Sequence, residues 1–349
     1  MSEKILLTQT AFLGDVVLST PVLELLCQHY PSAEIHLLTT PLAAALFSHD
    51  KRVTKVHTIN KKGRVFALAA FKNVAKELRD CHFTKVYSLH RSARSSLLHF
   101  LSKIPRRVGF SDSRYSFLYS DAVSRHVSGH AVERAASLLS EIDPQYARPH
   151  LLDLPHLSLS SPPKESVSQI VLDAYEEDRK YIVIAPGSVW KTKRWDWFRY
   201  AQLVKILASE GYRIWLTGSG NEYELCEKVM GDTKGVRNFA GKVSIEEFLW
   251  VVESSYGVVC NDSFTLHVAS AFQKPTVAVF CATSPQFGFG PWQNPLARVV
   301  EKTGLWCKPC RAHGSHVCPT RSEACMRGVA AVEVFSVLKD CLKRGDALT

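Results

Sequence analysis

The first half of the chain alternates short apolar runs with stretches whose apolar residues recur at helical spacing. Residues 4–8, 34–38, 55–59, 85–89 and 107–110 read as strands, with amphipathic helix patterns between them. This alternation predicts a parallel, doubly wound α/β sheet, because a strand reaches a parallel neighbour only through a crossover. At 154–165 the run Leu-Pro-His-Leu-Ser-Leu-Ser-Ser-Pro-Pro-Lys-Glu loses its period and gathers Pro and Ser, as a linker does. Strand patterns then restart at 181–185, 212–217, near 236–239, 257–260 and 276–280, separated by helical stretches such as 195–210.

Two Rossmann-like domains are therefore expected, over 1–160 and 161–330, followed by a helix within 331–349 that packs back on the first domain. Ligands of open α/β sheets bind beyond the carboxyl ends of the strands, so two such domains in tandem predict a cleft between facing edges.

A length of 349 residues with 22% charged residues suits a two-domain globular protein. No run approaches the roughly 18 uninterrupted apolar residues of a membrane span, and the opening Met-Ser-Glu-Lys lacks the layout of a signal peptide. A cytoplasmic location is expected. Cys27, Cys81, Cys226, Cys260, Cys281 and Cys341 are scattered through apolar or helical stretches, which fits buried thiols rather than a disulfide framework.

The net charge of +10 is unevenly placed: residues 1–160 hold 20 Lys/Arg against 13 Asp/Glu, and the remainder 23 against 20. A basic first half suits nucleic acid, an anionic membrane or a phosphorylated substrate. Nucleic acid is disfavoured, because the cations are not interleaved with a reading module.

Four strand-end segments carry candidate chemistry. After the first strand, Gly14 permits a tight turn and Asp15 opens an apolar helix pattern; Asp15 is either a helix cap or a base that takes a proton from an attacking hydroxyl. In 185–195, Ala-Pro-Gly-Ser-Val-Trp-Lys-Thr-Lys-Arg-Trp offers backbone amides, the Ser188 hydroxyl and lysines to phosphate oxygens, without the second glycine of a Walker loop. In 216–224 a carboxylate, Glu222 or Glu224, is placed to hold ribose hydroxyls. In 259–271, Asn261, Asp262 and Ser263 end an apolar strand and His267 lies one turn into a small-residue helix.

The Gly-Asp-x4-Thr-Pro run at 14–21, the Pro-Gly-Ser…Lys-Arg-Trp run at 186–195, Asn-Asp-Ser-x3-His with its following Lys-Pro-Thr-Val at 261–277, and Ala-Thr-Ser-Pro at 282–285 together resemble the bacterial lipopolysaccharide heptosyltransferases. The resemblance spans nearly the whole chain and is nearer to the type that adds the second heptose than to the type that adds the first. It implies a GT-B fold, an ADP-heptose donor bound by the second domain and a lipid A–core acceptor bound mainly by the first. Transfer would be a single inverting displacement at the inner face of the inner membrane, with no cofactor required.

By that likeness Asp15 is the general base, Ser188 and Lys193 meet the donor diphosphate beside Gly187, and Glu222, preferred over Glu224, takes the ribose. Asp262, Ser263 and His267 then line the donor site, while Lys61, Lys62, Arg64, Arg91 and Arg94 are candidates for acceptor phosphates. One departure is Phe264, where the family usually has glycine; a bulky side chain there bears on close approach of backbone to donor.

A second cysteine group stands apart. Cys307, Cys310, Cys318 and Cys325, with His313 and His316 inside the loop, supply soft ligands that would suit one structural zinc, although their spacing matches no common zinc-finger pattern and free or paired thiols explain them equally.

Overall fold

The computed structural model describes residues 3–60, 67–178 and 180–348. The chain forms two compact units, Met1–Ser160 and Ser161–Thr349. The first holds a sheet of β1 (Lys4–Thr8), β2 (Glu34–Thr39), β3 (Lys55–Thr58), β4 (Lys85–Ser88), β5 (Arg106–Phe110) and β6 (Asp121–Val123) in the order β3-β2-β1-β4-β5-β6. Every neighbouring pair is parallel.

The second unit repeats the plan. Its β7 (Tyr181–Ala185), β8 (Arg213–Leu216), β9 (Val236–Asn238), β10 (Gly257–Asn261), β11 (Thr276–Phe280) and β12 (Ala297–Glu301) lie in the order β12-β11-β10-β7-β8-β9, again all parallel. The central strands Tyr-Ile-Val-Ile-Ala, Gly-Val-Val-Cys-Asn and Thr-Val-Ala-Val-Phe are buried throughout, as strands covered by helices on both faces must be. In each sheet the strand order reverses beside the first strand, between β1 and β4 and between β7 and β10, and the loops leaving these strands flank the natural ligand crevice.

The closing helix, Ala331–Asp346, belongs to the second unit. Its stripe of Ala331, Val334, Leu338, Cys341 and Leu342 is buried in one core with Ile182, Val259 and Val277. Gly257 on β10 makes room for it: a Cβ there would come within 2.7 Å of Leu342 Cδ2. With its apolar stripe already covered, the helix has that face committed to its own sheet. Among the described residues no helix is long and apolar enough to cross a membrane.

Candidate functional site

In the first unit, Asp15 lies in the first turn of the short helix Leu13–Val17 that leaves β1. The residue before that helix is Phe12, so Asp15 does not stand at the N-cap, and the capping role weighed from the sequence does not apply. Asp15 is partly exposed and acts electrostatically on Arg134, whose guanidinium is held below its ordinary range chiefly by burial while Asp15 favours its charged form.

The neighbouring strand β4 leads through 89–92 into the helix Ala93–Leu101, which Ser92 caps through the Ser95 N–H at 3.2 Å. Arg94 is exposed in its first turn and lines a small hollow with Thr10, Ser92 and Ser95, while Arg91 is paired with Asp112 at 2.6 Å. Lys61, Lys62 and Arg64 lie outside the described residues.

In the second unit four loops converge at the carboxyl ends of β11, β10, β7 and β8, which are neighbours in that order. Lys193 Nζ reaches Asp262 Oδ2 at 2.7 Å, and the Thr283 hydroxyl donates to the same oxygen at 2.7 Å. Both charges are largely buried, with side-chain exposures of 13% and 5%. An ammonium has three donors, so two remain to Lys193 beyond the one given to Asp262.

Ser263 precedes the helix Phe264–Ala271, and its buried Oγ has no hydrogen-bond partner among the described residues, so one hydroxyl stands at a helix N-terminus beside this ion pair. His267 is buried in the same helix. The ring of Phe264 lies against Phe248, with centroids 5.6 Å apart. Ser188 is buried, and its carbonyl accepts from Arg194 Nε at 2.8 Å.

The two glutamates separate. Glu222 accepts from the Ser219 N–H at 2.8 Å and the Ser219 hydroxyl at 2.9 Å, and its carboxylate occupies the space a Cβ on Gly187 would need. It therefore sits between the β7 and β8 loops, where glycine at 187 lets it approach, whereas Glu224 is exposed in the next helix, Tyr223–Met230.

Three residues that hold this arrangement were given no role of their own from the sequence. Asn261, fully buried, accepts from the Trp195 N–H at 2.8 Å and the Tyr200 hydroxyl at 3.1 Å, and its amide donates to the carbonyls of Pro186 and Gly187 at 2.9 and 3.0 Å. One side chain thus fastens both ends of loop 186–195 to β10. Thr283 fixes Asp262, and Thr192 joins the loop to Ser315 through 2.9 Å and 2.8 Å hydrogen bonds from the two backbone N–H groups. The available signal was a polar residue, Asn261, ending an apolar strand whose other positions pack.

Asn261→Ala is expected to lower stability by roughly 2–4 kcal/mol, because it strips buried partners from an N–H, a hydroxyl and two carbonyls, each costly to leave unsatisfied. Urea unfolding of the variant measures it; a loss below about 0.5 kcal/mol, the size of an ordinary surface change, refutes the fastening role.

The cysteine segment packs on this site. Among the described residues no group of three or more His, Cys, Asp or Glu side chains is arranged to hold a metal ion. The sulfurs have separate partners: Cys310 Sγ donates to the Cys307 carbonyl at 2.9 Å, Cys318 Sγ is 3.4 Å from Thr320 Oγ1, and Cys325 is packed in the core. Burial pushes the Cys325 thiol up to about 11, while the Thr320 hydrogen bond draws Cys318 below its ordinary value. The segment supports the loops of the site, with the Cys310 N–H on the Ala282 carbonyl at 2.9 Å and Ser315 on Thr192.

Known proteins fit this geometry. Over 308 residues the chain is 27% identical to lipopolysaccharide heptosyltransferase 2 of Salmonella typhimurium, covering 85% of this chain and 87% of that one. It is 26% identical over 351 residues to lipooligosaccharide heptosyltransferase 2 of Campylobacter jejuni, covering 97% and 98%. The solved ADP-heptose lipopolysaccharide heptosyltransferase II of Escherichia coli superposes with a TM-score of 0.81 at 23% identity, over 98% of this chain and 99% of that one, so the fold is GT-B. The model of glycosyltransferase family 9 (heptosyltransferase) matches residues 71–319, across β4 to β12 and the four converging loops, and the chain is a glycosyltransferase belonging to that family.

Proposed function

We propose that this enzyme transfers heptose from ADP-L-glycero-D-manno-heptose to the inner core of lipopolysaccharide, adding the second heptose. The observation that carries the reading is the Lys193–Asp262–Thr283 cluster at the ends of adjacent strands, beside the Gly187–Glu222 contact. A cation, a helix N-terminus and a carboxylate beside glycine are the groups a ribosyl diphosphate requires. The names of the Salmonella and Campylobacter relatives support heptose as the sugar and the second position as its destination.

In this mechanism the acceptor hydroxyl attacks the anomeric carbon as the bond from that carbon to the diphosphate oxygen breaks, inverting the centre and releasing ADP. Asp15 accepts the hydroxyl proton. Negative charge grows on the departing diphosphate, so Lys193 and the amides opening the helix Phe264–Ala271 stabilise the transition state more than the ground state. Glu222 takes the ribose hydroxyls, and Ser188, Ser263 and His267 line the donor. Arg91 and Arg94, with Lys61, Lys62 and Arg64, meet phosphates of the lipid A–core acceptor at the cytoplasmic face of the inner membrane.

Transfer and donor-hydrolysis assays with ADP-heptose and a panel of ADP-, UDP- and GDP-hexoses test the donor. The expected result is turnover with ADP-heptose at least tenfold above any other donor, since a sugar contact worth about 1.4 kcal/mol gives that factor. Faster turnover with a UDP or GDP sugar overturns it and favours another GT-B transfer.

A further inference from the structure

The outward face of the helix Ala93–Leu101 breaks the usual rule for a surface helix. Its inward positions Ser95, Ser96, Leu98 and His99 are buried, yet the exposed positions Leu97, Phe100 and Leu101 are large and apolar. The short helical turn Ser116–Leu118 packs beside it and adds Tyr115 and Phe117, whose rings lie 5.8 Å apart, with Phe117 79% exposed. Five large, exposed apolar side chains thus gather on two neighbouring elements.

The rim is cationic. Arg94 occupies the same helix face one turn before Leu97, Lys103 and Arg114 are exposed, and the Arg107 guanidinium lies 5.8 Å from the centre of the Phe100 ring. Nearby along the chain, Arg91 and Arg125 are both paired with Asp112, at 2.6 and 3.0 Å. The segment is held rigidly: the Ser96 hydroxyl donates to the Arg114 carbonyl at 3.0 Å, and Arg107 Nε donates to the Leu118 carbonyl at 2.8 Å.

We infer that this patch is the surface by which the enzyme docks on an anionic bilayer. Aromatic and aliphatic side chains ringed by Arg and Lys match the boundary between acyl chains and acidic headgroups, where apolar burial and attraction to anionic lipid act together. A protein partner of ordinary surface charge would not call for a rim whose named cations so outnumber its one named carboxylate, Asp112. The hollow containing Arg94, Ser92 and Ser95 reaches Thr10, in the loop leading to Asp15, so docking through this face sets the bilayer beside the acceptor end of the first unit. The inference rests on the reading of the acceptor as a membrane-anchored glycolipid.

The test is co-sedimentation of the full chain with phosphatidylcholine vesicles, with and without phosphatidylglycerol, alongside transfer to an acceptor embedded in vesicles and to its delipidated, water-soluble form. Binding is expected to require phosphatidylglycerol and to fall with salt. The double variant Phe100→Ser, Phe117→Ser, at exposed positions, should bind at least tenfold more weakly, and Lys103→Gln with Arg114→Gln about fivefold more weakly for each charge. Both variants should lose transfer on vesicles and keep it on the soluble acceptor.

Equal binding by wild type and the Phe variant, or no binding to acidic vesicles, overturns the inference. So does a concentration-dependent dimer that Phe117→Ser dissolves, which would make the patch a contact between copies. Vesicle binding as described with no heptose transfer to either acceptor would sink the functional reading and leave the docking surface standing; transfer to the soluble acceptor without vesicle binding would do the reverse.

Discussion

Replacing Asp15 with alanine is expected to lower transfer by about 10²–10⁴-fold, the usual range for loss of a general base, while ADP binds with unchanged affinity. The separation follows from where the groups lie. Asp15 belongs to the first unit, after β1, whereas Lys193, Glu222 and Asp262 belong to the second, after β7, β8 and β10. A proton acceptor serves the attacking hydroxyl and makes no contact that ADP alone could report. Neither is the fold expected to suffer: Asp15 is partly exposed and does not stand at the N-cap of its helix, so no cap is lost. Calorimetric titration with ADP, together with single-turnover transfer at saturating donor, separates binding from chemistry. Transfer by the variant within a few-fold of wild type would remove Asp15 from the mechanism.

Lys193→Ala is expected to damage binding and turnover together, and by more than one lost phosphate contact. A hydrogen bond to a charged group contributes about 1.5–3 kcal/mol, or roughly ten- to a hundredfold in donor affinity. Removing the ammonium also leaves Asp262, 5% exposed in its side chain, as a buried carboxylate answered, among the described residues, by the Thr283 hydroxyl alone. That negative charge would then face the incoming diphosphate, adding repulsion to the lost attraction. The double variant Lys193→Ala, Asp262→Asn should therefore recover part of the ADP affinity lost by the single one, a non-additivity that independent sites do not show. If ADP binds Lys193→Ala as it binds wild type, the lysine is a structural partner of Asp262 and nothing more.

Much of this architecture was legible in the sequence because it is written in local chemistry. Ten of the strands announce themselves as apolar runs between turn residues, and buried parallel strands need no outward polar face to interrupt the run. The two strands that escaped notice, Asp121–Val123 and Ala297–Glu301, are both sheet edges. An edge strand pairs on one side only, so it tolerates short length and polar positions, and its sequence loses the continuous apolar signature. The candidate loops were equally local: Gly187 with Ser188, Glu222 near Ser219, and Asp262 with Ser263 are contiguous motifs at strand ends.

What the sequence could not disclose depends on residues far apart along the chain. Asn261 reads as one polar residue ending a strand, but its four partners lie 61 to 75 positions away, and nothing near 261 names them. The last helix has an apolar stripe that any sheet could cover; its fit over Gly257, 85 positions before Leu342 by their numbers, selects the second unit's own sheet. The four late cysteines lie close along the chain, but the partners of their sulfurs, the Cys307 carbonyl for Cys310 and the Thr320 hydroxyl for Cys318, and the hold of Ser315 on Thr192 belong to the fold. The elements, their turns and the chemical groups offered at the strand ends follow from propensity and period over a few residues, and so are local properties of the chain. Which distant partner each polar group satisfies is a property of the folded molecule, because a buried hydrogen bond is chosen by proximity in space and by the cost of leaving it unmade.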